Sequence, residues 1–333
     1  MRHLLKPQNS SASCVLAIGK FESIHRGHQA LILEAVRLGQ QLGLISAMIA
    51  FEPHPYRVLS NPDYKPMFTN DERAYIVQSL NLEGLSSANA DCGNIFGNTS
   101  ATVRRIEKGI NYLLEYPFDA AFAALSPESF CEKLFDELHG KVIVVGKGYR
   151  FGQGRKGTID TLKQIAISRN ADVRVIEPQV MDGCSAANKI STSHIRALLL
   201  TNALQEAQDF LGFPFFIMGT VTQGRRIGHT IGFPTVNIYP TENKLLPVDG
   251  VYATQTYICG QAYKSITNIG FRPTMQQPNA LVRRSVESYL IDFNGDAYGK
   301  ELRTEFLRFI RPERRFANID ELRTQIIEDI TKI

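Results

Sequence analysis

The chain has 333 residues, of which 44% are hydrophobic and 21% charged, a length and composition that suit two globular domains of ordinary size. A formal net charge of +4 fits anionic small ligands, but it is too weak and too scattered for a nucleic-acid surface. No stretch approaches the roughly 18 consecutive apolar residues of a membrane span, and the opening MRHLLKPQNSSAS lacks the apolar core of a signal peptide.

The cysteines stand at 14, 92, 131, 184 and 259. Their number is odd and no CxxC pair occurs, so neither a disulfide framework nor a zinc site is expected, and a cytoplasmic location is. Cys14 adjoins the apolar run Val15-Leu16-Ala17-Ile18 and reads as a buried small hydrophobe. From His28 onward, Leu31, Ile32, Ala35, Val36, Leu38 and Leu42 recur at helical spacing, and Gly43 ends that helix. Ile45 to Phe51 is the next predicted strand. Residues 83–108, rich in Ser, Asn and Gly, read as a long surface loop or insertion. Ser126-Pro127-Glu128 opens another helix, with a serine cap, proline at the first helical position and an acid in the first turn. Val142 to Val145 and Val173 to Ile176 complete a βαβ rhythm, which predicts a parallel sheet flanked by helices.

The chain changes character after about residue 212. Short β-type runs separated by Gly and Pro follow, at 219–223, 235–239, 251–258, 285–293 and 302–310, the spacing of an antiparallel barrel or sandwich. A terminal helix is predicted from the Asn318/Glu321 cap, with Leu322, Ile326, Ile327 and Ile330 as its apolar stripe. The expected division is residues 1–200 and 216–333, with a helix and linker over 201–215.

Two segments carry chemistry in the first half. Gly19-Lys20-Phe21-Glu22-Ser23-Ile24-His25-Arg26-Gly27-His28 lies between the first strand and the first helix, where α/β sheets bind ligands and a helix N-terminus offers free N–H groups to phosphate. His25 and His28, three apart, project from neighbouring positions. Two imidazole donors suit an α-phosphate whose charge grows during nucleotidyl transfer, and Gly27 leaves room for a close approach. Ile190-Ser191-Thr192-Ser193-His194-Ile195-Arg196 sets hydroxyls before a helix and an arginine one turn in. Alone this is a plain N-cap; with HxGH it becomes a phosphate clamp.

HxGH followed by I-S-x-[ST]-x-I-R resembles the nucleotidyltransferase superfamily. With Phe51-Glu52-Pro53-His54-Pro55 and the Val144-Val145-Gly146…Arg150-Phe151-Gly152…Gly154-Arg155…Gly157 segment, the first half resembles the adenylyltransferase module of bacterial bifunctional riboflavin kinase/FAD synthetases. The resemblance implies a Rossmann-like domain in which Gly19, Phe21, His25, Gly27, His28, Ser191, Thr192 and Arg196 bind the ATP phosphates or the departing pyrophosphate. It also implies flavin contacts by Phe51, Pro53, Tyr149 and Phe151. Three positions depart from the family pattern: Glu22 and Ser23, where F-D-G is usual, and Gly148, where Asp or Asn is.

In the second half, Gly228-His229-Thr230-Ile231-Gly232-Phe233-Pro234-Thr235-Val236-Asn237 taken alone reads as a β-turn leading into an ordinary strand, although Thr235 and Asn237 would share a face. It is followed in order by Leu246-Pro247-Val248-Asp249-Gly250-Val251-Tyr252, Asn268-Ile269-Gly270-Phe271-Arg272-Pro273-Thr274, Val286-Glu287, Tyr298-Gly299-Lys300 and Ile310-Arg311-Pro312-Glu313-Arg314-Arg315-Phe316. The series resembles the riboflavin kinase domain. It implies an antiparallel β-barrel, ATP phosphates held by Gly228, Gly232, Thr235 and Asn237, Mg²⁺ held by Thr235 and Asn237, Glu287 as general base, and flavin contacts by Arg272 and Arg311. The expected activity is ATP-dependent conversion of riboflavin to FMN and of FMN to FAD, on small molecules only, with neither nucleic acid nor membrane as partner. The alternatives are a protein with one active half, a non-catalytic flavin or nucleotide sensor, and a cytidylyltransferase.

Overall fold

The computed structural model describes residues 13–80, 96, 99–106, 108–178, 190–222, 232–241, 243–273 and 282–333. The chain separates into two compact units, Met1–Ile190 and Ser191–Ile333.

In the first unit, β1 (Cys14–Ile18), α1 (Arg26–Leu42), β2 (Ile45–Glu52), α2 (Pro55–Leu59) and α3 (Asn70–Ser79) are followed by β3 (Thr102–Arg105), β4 (Tyr112–Pro117), α4 (Ala120–Ala123) and α5 (Pro127–Glu132). Then come β5 (Gly140–Gly146), α6 (Ile159–Ser168) and β6 (Asp172–Ile176). The strand order is β3-β4-β2-β1-β5-β6, parallel except for the antiparallel pairing of β3 with β4. β1 is wholly buried, as a central strand covered on both faces must be. The Cys14 thiol donates to Leu138 O at 2.9 Å, and burial pushes its pKa up. The local signals act as their chemistry requires. Gly43 caps α1 with φ +65°, and Ser126 caps α5 by accepting from Ser129 N, with Pro127 at its start.

The expected loop over 83–108 is corrected at its far end. Residues 102–105 form an edge strand, and Phe96 and Ile106 are buried. β3 carries Thr-Val-Arg-Arg and is largely exposed, so it offers no apolar alternation to read. Residues 83–95 of that stretch lie outside the described residues.

The second unit begins with α7 (Thr192–Leu200) and α8 (Leu204–Leu211). It continues with β7 (Phe216–Thr220), β8 (Thr235–Ile238), β9 (Gly250–Ile258), β10 (Gln261–Pro273), β11 (Val282–Leu290), β12 (Glu301–Arg311) and the terminal α9 (Ile319–Ile330). The sheet order is β7-β12-β9-β10-β11-β8, antiparallel throughout. Thr222, just past β7, bridges Asn237 on β8, and this joins the two ends of the sheet into a curled half-barrel. At the seam, Gly219 leaves space that Ile238 fills.

β10, the longest strand of the unit, was not read from the sequence. Its inward face carries the hydroxyls of Ser265 and Thr267 ahead of Ile269, and neighbouring strands add more hydroxyls. Thr254, Thr256, Ser265, Thr267, Ser288 and Thr304 are fully buried and linked through hydrogen bonds of 2.7–3.0 Å. A polar but mutually satisfied interior hides the apolar alternation by which strands are recognised. The stripe predicted for α9 is corrected at one position: Leu322, Ile326 and Ile330 are half-buried on the face that also buries Gln325 and Asp329, whereas Ile327 is exposed. Asp329 turns inward because it pairs with Arg311 at 2.8 Å.

Two phosphate-chemistry candidate sites

In the first unit the strand order reverses about β1 and β5, the place where open α/β sheets bind ligands. A cleft lies there, lined by Ile18 and Gly19 after β1, His25, Gly27 and His28 at the start of α1, Gly146 to Tyr149 after β5, and Ile176 to Pro178 after β6. His25 is the N-cap of α1. Its Nδ1 accepts from His28 N at 3.2 Å, so the proton of the neutral ring sits on Nε2. The two imidazoles stack with centroids 3.9 Å apart and planes within 5°, and Phe21 packs against His28 at 5.2 Å. A Cβ on Gly27 would stand 3.1 Å from His25 Cε1, so this glycine makes room for the stack. Burial drives the His25 pKa down to about 4, and burial together with its neighbour lowers that of His28. Both rings are therefore neutral at ordinary pH, and they act as hydrogen-bond donors rather than as cations.

The departure at Glu22 has a structural use. Its buried carboxylate accepts from Tyr64 Oη at 2.7 Å and from Met67 N at 3.2 Å, and it lies 3.4 Å from His54 Nε2. It ties the loop before His25 to the segment that follows the cis Glu52–Pro53 bond. Ser23 is wholly buried. Gly148 has nothing among the described residues within 4 Å of the place of a Cβ. No signal in the sequence pointed to Tyr64 or Met67 as partners of Glu22, because those contacts span 42 and 45 residues.

The aromatic residues separate. Tyr149 lines the cleft and stacks on Phe151 with centroids 5.7 Å apart. Phe151 and Phe51 are buried in the core cluster, Phe151 against Phe130 and Phe51 against Phe118 and Phe122. Pro53 is exposed. Ser191 is the N-cap of α7, accepting from His194 N at 3.3 Å, with Thr192 and Arg196 in that helix. These three residues belong to the second compact unit.

In the second unit, register places Asn237 opposite Glu287, Glu287 opposite Asn268, Asn268 opposite Val251, and Val251 opposite Arg311. Directly opposed residues share a sheet face, so one rung carries Asn237, Glu287, Asn268 and Arg311, while the hydroxyl network occupies the other face. Thr235 sits opposite Tyr289, one step along. Asn237 is buried, and its Oδ1 has no hydrogen-bond partner among the described residues. Arg311 is already engaged: its guanidinium pairs with Asp329 and donates to Pro312 O. Gly232 has φ +85°, a turn conformation suited to glycine. Gly228 lies outside the described residues, as does the side chain of Arg272, which belongs to β10. Sequence reading passed over Asn268 as a site residue; only the register of an unread strand brings it beside Glu287. Among the described residues no cluster of three His, Cys, Asp or Glu side chains could by itself hold a metal ion.

A parallel α/β sheet with HxGH at the switch point defines a nucleotidyltransferase-like domain, and it is joined in one chain to a curled antiparallel half-barrel. The comparisons make this specific. The FAD synthetase family model matches residues 7–91 and 98–194, and the riboflavin kinase model matches residues 211–333. The chain is 32% identical over 317 residues to the bifunctional riboflavin kinase/FMN adenylyltransferase of Listeria monocytogenes, covering 95% of this chain and 90% of that one. It is 32% identical to the Escherichia coli protein of the same description, with 97% and 92% covered, and 31% identical to that of Bacillus subtilis, with 98% and 93% covered. A crystal structure from Streptococcus pneumoniae, described as a macrolide-efflux protein, superposes with TM-score 0.76 at 25% identity, covering 97% and 94%. The chain belongs to the bifunctional riboflavin kinase/FMN adenylyltransferase family.

Proposed function

We propose that the chain makes FAD from riboflavin in two ATP-dependent steps, the first half transferring an adenylyl group to FMN and the second phosphorylating riboflavin. The observation that carries this reading is the presence in one chain of two sites of opposite design. One is a neutral histidine pair on a helix N-terminus. The other is a carboxylate flanked by amides on a barrel face.

Adenylylation joins a phosphate oxygen of FMN, already anionic, to the α-phosphorus of ATP, and pyrophosphate leaves. No base is needed. The Nε2–H of His25, the His28 ring and the free N–H groups of α1 supply donors where negative charge accumulates. Ser191, Thr192 and Arg196 are assigned to the pyrophosphate. Tyr149, facing the cleft, is the candidate flavin or adenine contact, and Phe151 supports it from the core.

Riboflavin phosphorylation starts from a neutral hydroxyl, so a positioned proton acceptor helps, and Glu287 is assigned that role. Mg²⁺ fits this site: the unpartnered Asn237 Oδ1 is a hard oxygen donor, and a cation that keeps several waters and binds ATP phosphates needs few protein ligands. Asn237 and Thr235 would hold it, and it would neutralise the phosphate charge during transfer. The site is assigned to the reducing cytoplasm, where free thiols such as those of Cys14, Cys131 and Cys259 persist. Among the described residues no helix is long and apolar enough to cross a membrane.

Incubating the purified protein with riboflavin and MgATP, with chromatography of the flavins over time, tests the proposal. FMN followed by FAD is the expected sequence of products. FMN alone would confine activity to the second half, and no flavin product would refute the reading.

A further inference from the structure

One contact beside the proposed kinase site belongs to no predicted role. Asn268 Nδ2 donates at 2.7 Å to Glu313 Oε1. Glu313 lies just beyond β12, and its carboxylate rests on Gly270, where a Cβ would overlap its oxygens. The Gly270 backbone is not among those with positive φ, so glycine serves there for space and not for conformation. Opposite Gly270 on β11 is Ser285, whose buried hydroxyl has no hydrogen-bond partner among the described residues. The face around the Asn237–Glu287–Asn268 rung is therefore polar and, among the described residues, only partly satisfied, as a ligand-binding face is.

An asparagine amide presents an acceptor on one side and donors on the other, and its two flip states differ only in which group faces which neighbour. A carboxylate at 2.7 Å selects the state with Nδ2 toward Glu313, because the flipped state would set two oxygens against each other. Fixing the amide fixes the partial charges presented to Glu287, its direct cross-strand neighbour.

We propose that Glu313 is a positioning residue for the phosphorylation of riboflavin: seated on Gly270, it holds the Asn268 amide in one orientation, and that amide orients the Glu287 carboxylate toward the hydroxyl it deprotonates. The inference rests on the kinase reading given above. Glu313 touches neither substrate nor metal in this account. It acts through Asn268.

The test uses the full-length protein and follows both half-reactions. Glu313→Ala is expected to lower kcat for FMN formation about tenfold, the worth of one hydrogen bond to a charged group. The KM values for riboflavin and MgATP should stay within about twofold, and FAD formation from supplied FMN should not change. Glu313→Gln retains an oxygen that can accept from Asn268 and is expected to restore most of kcat. Gly270→Ala, which displaces the carboxylate without removing it, should track Glu313→Ala and supplies the same test if that variant does not fold. The double variant Glu313→Ala/Asn268→Ala should be no slower than Asn268→Ala alone, as for two residues acting in series. Parental kcat in both Glu313→Ala and Gly270→Ala, a loss confined to KM, or multiplicative losses in the double variant would overturn the proposal. A parent protein that forms no FMN would instead bring down the kinase reading beneath it.

Discussion

On the proposed reading the two candidate sites would handle the same cosubstrate with different side chains, and the nucleophile explains the difference. The first unit presents neutral groups: two stacked imidazoles with lowered pKa values and a helix N-terminus capped by His25. An incoming FMN phosphate is already ionised, so the site has to stabilise charge and not to move a proton. In the second unit a carboxylate, Glu287, lies in a rung between Asn237 and Asn268. A riboflavin hydroxyl must lose a proton as it attacks, and this arrangement offers an acceptor. The comparison teaches that a binding site for phosphate does not by itself define a mechanism; the ionisation state of the attacking oxygen does.

Glu287→Gln is the sharpest way to break the comparison. It keeps the shape and removes the proton acceptor, so riboflavin phosphorylation should fall by about 10²–10⁴-fold, measured as initial FMN formation. FAD formation from supplied FMN should be unaffected. Equal losses in both reactions would mean that the sites are not distinct.

His28→Ala should do the reverse. Losing a donor to the developing charge costs about 10²–10³-fold in the conversion of FMN to FAD, with FMN formation retained. Retained FAD formation at the parental rate would remove the histidine pair from the chemistry.

Glu22→Ala probes the loop that presents those histidines. It strips the acceptor from Tyr64 Oη and Met67 N and should destabilise the first unit by about 3 kcal/mol, from about 1–3 kcal/mol per unsatisfied buried donor. Thermal melting reads the effect, and an unchanged melting temperature would show that the carboxylate is dispensable.

A smaller effect tests the neutrality of the histidine site by pH. The folded pKa of His25 is depressed from 6.5 to about 4. Its neutral form thus contributes stability that is complete above pH 6.5 and is lost as pH falls from 6.5 to 4. His25→Asn keeps a good N-cap and removes the titration. Between pH 7 and 5 the variant should lose about 2 kcal/mol less than the parent, as denaturant midpoints will show. Identical pH profiles for both proteins would contradict a buried neutral His25.

Much of the first unit was legible because its signals are local. Gly43 stops α1, Ser126 and Pro127 start α5, and the apolar runs of β1, β5 and β6 sit where the βαβ rhythm puts them. β3 escaped because an exposed edge strand of four residues carries no apolar alternation. β10 escaped because two of its inward positions are Ser265 and Thr267, whose hydroxyls are satisfied by neighbouring hydroxyls rather than by apolar packing. The candidate residues themselves could be picked out from motifs, but their partners could not. Glu22 meets Tyr64 across 42 residues, and Glu313 meets Asn268 across 45. Contacts at that separation are set by register and loop path, and no window of sequence contains both ends.

The central claim, two distinct sites in one chain with FMN passing from one to the other, is tested most directly by mixing two disabled proteins. Glu287→Gln supplied with riboflavin and MgATP should yield no more than traces of FAD, and His28→Ala should stop at FMN. Combined in one tube, they should form FAD from riboflavin at a rate approaching that of the parent protein, because each contributes the site the other lacks. A mixture that makes FMN but no FAD, while Glu287→Gln still converts supplied FMN, would contradict the account.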